Sequence, residues 1–191
     1  MNKNILLCGV GGQGIVLTSK LTASCAMAKG MDVMSAETIG MAQKGGSVFS
    51  FLRLGEGIHS PMFGLKQADI LIAFEPAEAV RMLPYLKDGG CAVVNMHPIK
   101  PVTASLKGSA YNGDEMTMFL AENVFETYFV DGDAMCRELG SPRVLNMVML
   151  GQALRTGYLP FTVNDAVEAM KKTVKPQFAK LNEVALRYSA G

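Results

Sequence analysis

The sequence has few of the side chains that bind metal ions and clusters. It contains two histidines, His59 and His97, and four cysteines that lie far apart, at positions 8, 25, 91 and 136. No two cysteines have the C-x-x-C spacing that is typical of zinc sites and Fe–S clusters. We therefore expect no metal site in this chain, and four reduced thiols that are mostly buried, as free cysteines usually are.

The sequence also lacks an excess of one charge and a long apolar run. Its 18 basic and 17 acidic residues give a formal net charge of +1, which offers no electrostatic basis for binding nucleic acid or a membrane surface. No stretch reaches the roughly 18 apolar residues that span a bilayer. The segment "MNKNILLCGVGG" has too short an apolar run for a secretory signal. We expect a cytoplasmic protein with no nucleic-acid or membrane partner.

The order of apolar segments predicts an α/β fold. With 191 residues, 49% of them hydrophobic, the chain is long enough for one well-buried core. A strand at 4–9, a helix from Gly14 to about Lys29 and a strand at 31–37 form a βαβ unit. Further strands are predicted in "SVFSFLRLG", "ADILIAFEP", "GGCAVVNM" and "VFETYFVDG". We predict a Rossmann-like, mostly parallel sheet flanked by helices.

The last third of the chain is predicted to be helical, with helices at about 131–138, 142–156, 162–173 and 176–188. No linker separates this segment from the strands. We therefore predict a single domain over residues 1–191, with a sheet-forming core at about 1–130 and a helical tail at about 131–191 that packs on the sheet.

The stretch "CGVGGQGI" matches the fingerprint G-x-G-x-x-G between a strand and a helix. In dinucleotide-binding folds these glycines bring the backbone and the helix N-terminus close to a phosphate. An acid at the end of the second strand binds the ribose, and Glu37 has that position. One interpretation is therefore a free-standing NAD(P)- or flavin-dependent oxidoreductase. Gln13 argues against it, because a small apolar residue is more usual there, and neither histidine has a recognisable catalytic partner.

A second loop makes the pattern more specific. "GVGGQGI", followed some 20 residues later by "ETIGMAQKGGSV", resembles the gamma subunit, or gamma-type domain, of the 2-oxoacid:ferredoxin oxidoreductases. The combination is most similar to the small (beta) subunit of indolepyruvate ferredoxin oxidoreductase. The resemblance extends from Asn4 to about Leu186, and "LGSPRVLNMVMLG" resembles the family's helix after the sheet. Lys44 replaces a frequent arginine and Ile39 a frequent histidine, so indolepyruvate, pyruvate, 2-oxoisovalerate and 2-oxoglutarate remain alternative substrates.

The resemblance implies one subunit of a heteromeric enzyme. In this family thiamine diphosphate, magnesium and Fe–S clusters support the oxidative decarboxylation of a 2-oxo acid, coenzyme A takes up the acyl group, and ferredoxin accepts the electrons. This chain has no recognisable thiamine or cluster motif, so we expect these cofactors on a large partner subunit. The isolated chain is expected to be inactive, and an exposed apolar interface could make it a homodimer.

The predicted site lies at the carboxyl edge of the sheet and contains no catalytic residue. Two segments form it: the glycine turn (Gly9, Gly11, Gly12, Gln13, Gly14) and the second loop (Gln43, Lys44, Gly45, Gly46, Ser47). The turn is expected to face the cleft or a partner subunit. Lys44 and the neighbouring N–H groups could contact a coenzyme A phosphate or a substrate carboxylate. In the alternative interpretation both segments are purely structural. Glu75 and Glu78, at a helix start, are interpreted as structural.

Overall fold

A six-stranded sheet organises the computed structural model, which describes residues 2–37, 45–100 and 111–189. The strands are β1 (Lys3–Val10), β2 (Asp32–Glu37), β3 (Ser47–Gly55), β4 (Ala68–Ala73), β5 (Leu86–Asn95) and β6 (Glu126–Val130). Their order is β2-β3-β1-β4-β5-β6. β1, β4, β5 and β6 are mutually parallel, whereas β3 runs antiparallel to both of its neighbours, β1 and β2. The predicted mostly parallel sheet is confirmed.

Seven α-helices occur in the described part of the chain. They are α1 (Ile15–Ala28), α2 (Pro76–Met82), α3 (Asp114–Asn123), α4 (Gly132–Glu138), α5 (Leu145–Arg155), α6 (Val163–Thr173) and α7 (Pro176–Arg187). Short 3-10 turns at 83–85 and 142–144 follow α2 and precede α5. The local signals predict the termini well, because Pro76 stands in the first turn of α2 and Gly30, with φ of +75°, follows α1.

The sheet is covered on both faces, which explains why its central strands are continuously apolar. In β1 the side chains alternate between two cores: Ile5 and Leu7 belong to one, Leu6 and Cys8 to the other. The first core also contains residues of α1, α4, α5, α6 and α7, and the second contains residues of α2 and α3. The helical tail therefore packs on the sheet as the sequence predicts.

The end of the tail is held against α5 by a close helix crossing. A Cβ atom on Gly151 would lie 2.4 Å from the carbonyl oxygen of Leu186, so only glycine allows this approach. Arg155 donates from Nη2 to the carbonyl oxygen of Arg187 at 2.6 Å. The guanidinium thereby satisfies carbonyl groups that the last turn of α7 leaves free.

All four cysteines are free and buried, as expected. Burial raises the pKa of the Cys25 thiol to about 11 and that of the Cys91 thiol to about 12, so both stay protonated at neutral pH. Within the described ranges no three His, Cys, Asp or Glu side chains lie close enough to hold a metal ion. None of the helices in those ranges has the length and apolarity required to cross a membrane.

Candidate functional site

The glycine turn connects the end of β1 to the start of α1. Gly12 and Gly14 have φ angles of +105° and +88°, a left-handed conformation that favours glycine. No side chain caps α1, and its first turn contains no acidic residue. The first N–H groups of α1 therefore have no acceptor from a capping side chain, and no acidic side chain of the first turn offsets the positive end of the helix dipole.

Gln13 has a structural role that explains why a bulky polar residue stands in the turn. Its Oε1 accepts a hydrogen bond from the N–H of Val10 at 2.7 Å, and its Nε2 donates to the carbonyl oxygen of Phe74 at 2.8 Å. A Cβ atom on Gly9 would lie 2.6 Å from this Oε1 and 2.7 Å from the Cβ of Phe74. The prediction that Gly9 faces the cleft is thus corrected: Gly9 is buried in β1 and makes room for the Gln13 amide.

Asn95, at the end of β5, extends this network and was missed from the sequence. It is fully buried; its Nδ2 donates to the same Phe74 carbonyl oxygen at 3.1 Å, and its Oδ1 accepts from the N–H of Gly132 at 3.1 Å. Two side-chain amides therefore connect the carboxyl ends of β1, β4 and β5 to the start of α4. The only sequence signal is a polar residue that ends an apolar strand.

The described part of the second loop contacts the glycine turn directly. The N–H of Gly11 donates to the carbonyl oxygen of Gly46 at 2.8 Å, and the N–H of Gly45 donates to the carbonyl oxygen of Gly11 at 3.4 Å. Both segments thus lie at the same edge of the sheet. The predicted site residues Gln43 and Lys44 lie outside the described residues.

Ser47, which begins β3, is also engaged within the chain. Its hydroxyl donates to Oε2 of Glu78 at 2.6 Å, and Nη2 of Arg81 lies 3.5 Å from Oε1 of the same carboxylate. Of the N–H groups predicted to bind an anion, that of Gly45 has an internal partner, and the hydroxyl of Ser47 is likewise bonded within the chain.

Glu75 is a buried carboxylate that organises the start of α2. It is 2% exposed and accepts from the N–H of Glu78 at 2.9 Å as the helix cap. The N–H of Ile99, at 3.3 Å, and the hydroxyl of Tyr111 donate to its other oxygen. Burial and this carboxylate raise the pKa of Tyr111. These contacts agree with the structural interpretation of Glu75 and Glu78.

A cleft of about 400 Å³ lies beside the glycine turn at the carboxyl edge. Its walls come from residues 12–17, from residues 95–99 after β5, from α4 and from residues 142–146. Gly12, Gln13 and Gly14 line this cleft. Among the described residues of the predicted site, Gly11 and residues 45–47 do not line it. The structure therefore divides the predicted site into a cleft and a separate loop surface.

The cleft contains charged and polar groups that the sequence did not connect. Nδ1 of His97 lies 2.8 Å from Oδ2 of Asp133, 36 residues away. A Cβ atom on Gly14 would lie 2.9 Å from the Cβ of Asn146. The close neighbour of Gly14 is therefore α5.

The position of β3 argues against a dinucleotide site. In dinucleotide-binding folds the second strand lies next to the first, but here β3 separates them. Glu37 pairs with Ser50, which in turn pairs with Leu7 of β1. Neighbouring strands lie about 4.7–4.9 Å apart, so the Glu37 backbone is about 10 Å from β1. Along the strand direction Glu37 is level with Leu7, three residues before Val10 at the end of β1. The acid needed for the ribose is thus far from the glycine turn.

The sheet order, the glycine turn and the cleft define a Rossmann-like α/β domain that presents its carboxyl edge to a ligand or a partner. The model of the family described as "Pyruvate ferredoxin/flavodoxin oxidoreductase" matches residues 4–190. The indolepyruvate oxidoreductase subunit IorB of Methanothermobacter thermautotrophicus is 34% identical over 192 residues, which cover all of this chain and 97% of the relative. The chain belongs to this oxidoreductase family, and the predicted resemblance is confirmed.

Solved structures show the same fold. The gamma subunit of keto/oxoacid ferredoxin oxidoreductase from Geobacter sulfurreducens has a TM-score of 0.68 at 24% identity, and the match covers 97% of this chain and 94% of that one. A 2-oxoglutarate:ferredoxin oxidoreductase from Magnetococcus marinus, solved with 2-oxoglutarate, coenzyme A and succinyl-CoA, has a TM-score of 0.71 at 23% identity. That match covers 97% of this chain but 30% of the larger chain, so the fold occurs both as a subunit and within a longer chain.

Proposed function

We propose that this chain is the small, gamma-type subunit of a cytoplasmic 2-oxoacid:ferredoxin oxidoreductase of the indolepyruvate type. The observation that carries the proposal is the similarity to an indolepyruvate oxidoreductase subunit over the full length of the chain. The complex converts the 2-oxo acid to an acyl-coenzyme A and reduces ferredoxin. Thiamine diphosphate, with magnesium, supplies the electron sink for decarboxylation, and it is held with the Fe–S clusters by the large partner subunit.

The role of this chain is to shape one wall of the assembled active site. The hydrogen bonds of Gln13 and Asn95 hold the carboxyl edge of the sheet rigid, which suits a surface that must present a fixed geometry to a partner. Since the N–H of Gly45 and the hydroxyl of Ser47 have partners within the chain, we assign the contact with a coenzyme A phosphate to the side chains of Gln43 and Lys44. A lysine can make this contact as a point charge.

The proposal is tested by isolating the tagged chain from its native cells. Mass spectrometry identifies what co-purifies, and a viologen-linked assay compares indolepyruvate, pyruvate, 2-oxoisovalerate and 2-oxoglutarate with and without coenzyme A. We expect a large partner with thiamine diphosphate and Fe–S clusters, and coenzyme A-dependent activity that is highest with indolepyruvate. Recovery of the chain alone, with bound nicotinamide or flavin, contradicts the proposal. A different preferred 2-oxo acid contradicts only the substrate assignment.

A further inference from the structure

β6 forms one edge of the sheet, and no strand lies on its outer side in the described part of the chain. We propose that this edge accepts a further strand, which is a short, extended, positively charged segment of the large partner subunit. The inference rests on the proposed function, because it names the surface through which this chain joins that subunit.

The backbone of β6 has hydrogen-bonding groups that point away from the sheet. On its inner side β6 pairs with β5, and the carbonyl oxygen of Val130 accepts from the N–H of Met96 at 2.9 Å. Alternate residues of a strand bond to opposite neighbours, so the N–H and C=O groups of Thr127 and Phe129 are directed outward. Such a row of unpaired groups is a template for another extended chain.

The sequence of β6 does not protect this edge. "ETYFV" contains no Lys, Pro or Gly, and its register with β5 continues without a bulge. Natural sheets commonly use these features to keep other chains from an edge. The charged residue of β6, Glu126, accepts hydrogen bonds from the hydroxyls of Tyr128 and Tyr158, so it is held within its own chain. An unprotected edge is typical of a strand that is covered in the assembled protein.

Exposed apolar side chains are concentrated around the same strand. Phe125, which directly precedes β6, is 85% exposed. Of the eleven large apolar side chains that are exposed in the described ranges, five belong to residues 118–129: Met118, Phe119, Phe125, Tyr128 and Phe129. A hollow of about 520 Å³ at the amino end of β6 is lined by Phe119, Val124 and Phe125. Apolar surface of this extent and grouping indicates an interaction site.

The charge of this surface favours a basic partner and disfavours a second copy of the chain. The whole chain has a net charge of +1, but residues 111–136 contain six acids and no Lys, Arg or His. At the carboxyl end of β6 a hollow of about 190 Å³ is lined by Phe129, by the exposed carboxylates of Asp131 and Glu138, and by no basic residue. Two copies that paired through β6 would bring like charges together, which costs energy. A lysine or arginine would instead be attracted to the carboxylates.

The two hollows define the chemistry of the added segment. Phe125 and Asp131 are six residues apart, which corresponds to about 20 Å of extended chain. The segment is therefore about six or seven residues long, with an apolar side chain for the hollow beside Phe125 and a basic side chain for the hollow beside Asp131. Backbone hydrogen bonds to Thr127 and Phe129 join it to the sheet between these two points.

The direct test is hydrogen–deuterium exchange, measured by mass spectrometry on the complex isolated with the tagged chain and on the full chain produced alone. We expect peptides that cover residues 124–131 to exchange about tenfold more slowly in the complex. If the parent chain recovers no thiamine-bearing subunit, the proposed function is contradicted and this inference falls with it. A complex in which residues 124–131 exchange as in the chain alone overturns this inference only. Protection of these residues in a dimer of the chain alone assigns the edge to a second copy and also overturns it.

Two variants test the assigned contacts by the amount of large subunit that co-purifies. Phe129→Lys adds a cation to the edge, and it should reduce the recovered subunit by about tenfold or more. Asp131→Asn keeps a residue that can cap α4 but removes the charge, so it should reduce recovery by a smaller factor. The matched control is Phe178→Lys, which makes the same substitution at an exposed position on α7 and should recover the subunit like the parent. Parent-like recovery by Phe129→Lys overturns the proposal, and the exchange of the unaltered protein decides the question if that variant does not fold.

Discussion

Gln13 and Asn95 donate their side-chain amides to one acceptor, the carbonyl oxygen of Phe74, at 2.8 and 3.1 Å. Gln13 belongs to the turn after β1, Asn95 ends β5, and Phe74 directly follows β4, which lies between those strands. A carbonyl oxygen has two lone pairs, so both bonds can form together. The carboxyl edge of the sheet is thereby fixed by side chains as well as by the β-ladder.

Removal of the Asn95 amide should destabilise the fold. Asn95→Leu keeps a similar volume but leaves the buried N–H of Gly132 without its acceptor, which costs about 2 kcal/mol. The measurement is the free energy of unfolding from urea denaturation. The control, Asn123→Leu at the exposed end of α3, should change that free energy by less than about 0.5 kcal/mol. Equal values for the two variants would show that the Asn95 bonds contribute little.

A methyl group at Gly9 should be poorly tolerated. Gly9→Ala places a Cβ atom 2.6 Å from Oε1 of Gln13 and 2.7 Å from the Cβ of Phe74. Because neither neighbour can yield without losing packing or hydrogen bonds, we expect a loss of about 1–3 kcal/mol. Gly64→Ala is the control, since its Cβ would meet only the side chain of Gln67, at 3.4 Å from Nε2 and 3.7 Å from Cδ. An unchanged melting temperature for Gly9→Ala would refute this account of the turn.

Thr162 and Asp165 form a capping box at the start of α6. This pair should make the free energy of unfolding depend on pH in the acid range. The Thr162 backbone N–H, followed by its hydroxyl and by Lys29, lowers the pKa of the Asp165 carboxyl. A lowered folded-state pKa adds stability above the unfolded value of about 3.9, and this stability is lost as the pH falls through the folded value. Asp165→Asn should therefore lose less stability than the parent between about pH 5 and pH 3.

Urea unfolding at several pH values measures this difference. Glu122→Gln on α3, an exposed acid whose carboxylate has no hydrogen bond or ion pair in the described residues, is the control and should follow the parent curve. If Asp165→Asn loses as much stability toward low pH as the parent, the capping carboxylate is not a source of the acid sensitivity.

The proposed coenzyme A contact predicts a specific kinetic defect. In the assembled enzyme, Lys44→Ala should raise the KM for coenzyme A by about tenfold, the value of one charge-assisted contact. The coenzyme A-independent decarboxylation of the 2-oxo acid should change little, since this residue would not touch the decarboxylating centre. Lys20→Ala on the exposed side of α1 is the control. Unchanged kinetics for both steps would remove Lys44 from the site.

Local patterns were sufficient to predict the strands and helices. Apolar runs such as "ADILIAFEP", ended by Gly, Pro or charged residues, mark strands that are buried on both faces, and the helical tail shows its 3.6-residue period. The order of the strands was not predictable in this way. Whether β3 lies beside β1 depends on long-range pairing, and the sequence of β3 alone does not encode its neighbours.

The contacts around the glycine turn were predicted only in part, because they too depend on residues that are far apart in the sequence. Glycine spacing correctly located the turn, but Gln13 and Asn95 bond to residues that come from other strands and helices. His97 and Asp133 are likewise brought together only by the fold. Hydrogen bonds between residues far apart in the sequence require the tertiary structure, whereas turns and caps are decided within a few residues.

The antiparallel position of β3 makes the connection at residues 38–46 a link between two adjacent strands that starts and finishes at the carboxyl edge. Two adjacent antiparallel strands can be joined without a crossover. Doubling its length would cost only about 0.6 kcal/mol in closure entropy. The length and the residues of this one segment can therefore change at little cost in stability, while the sheet that supports the segment stays the same.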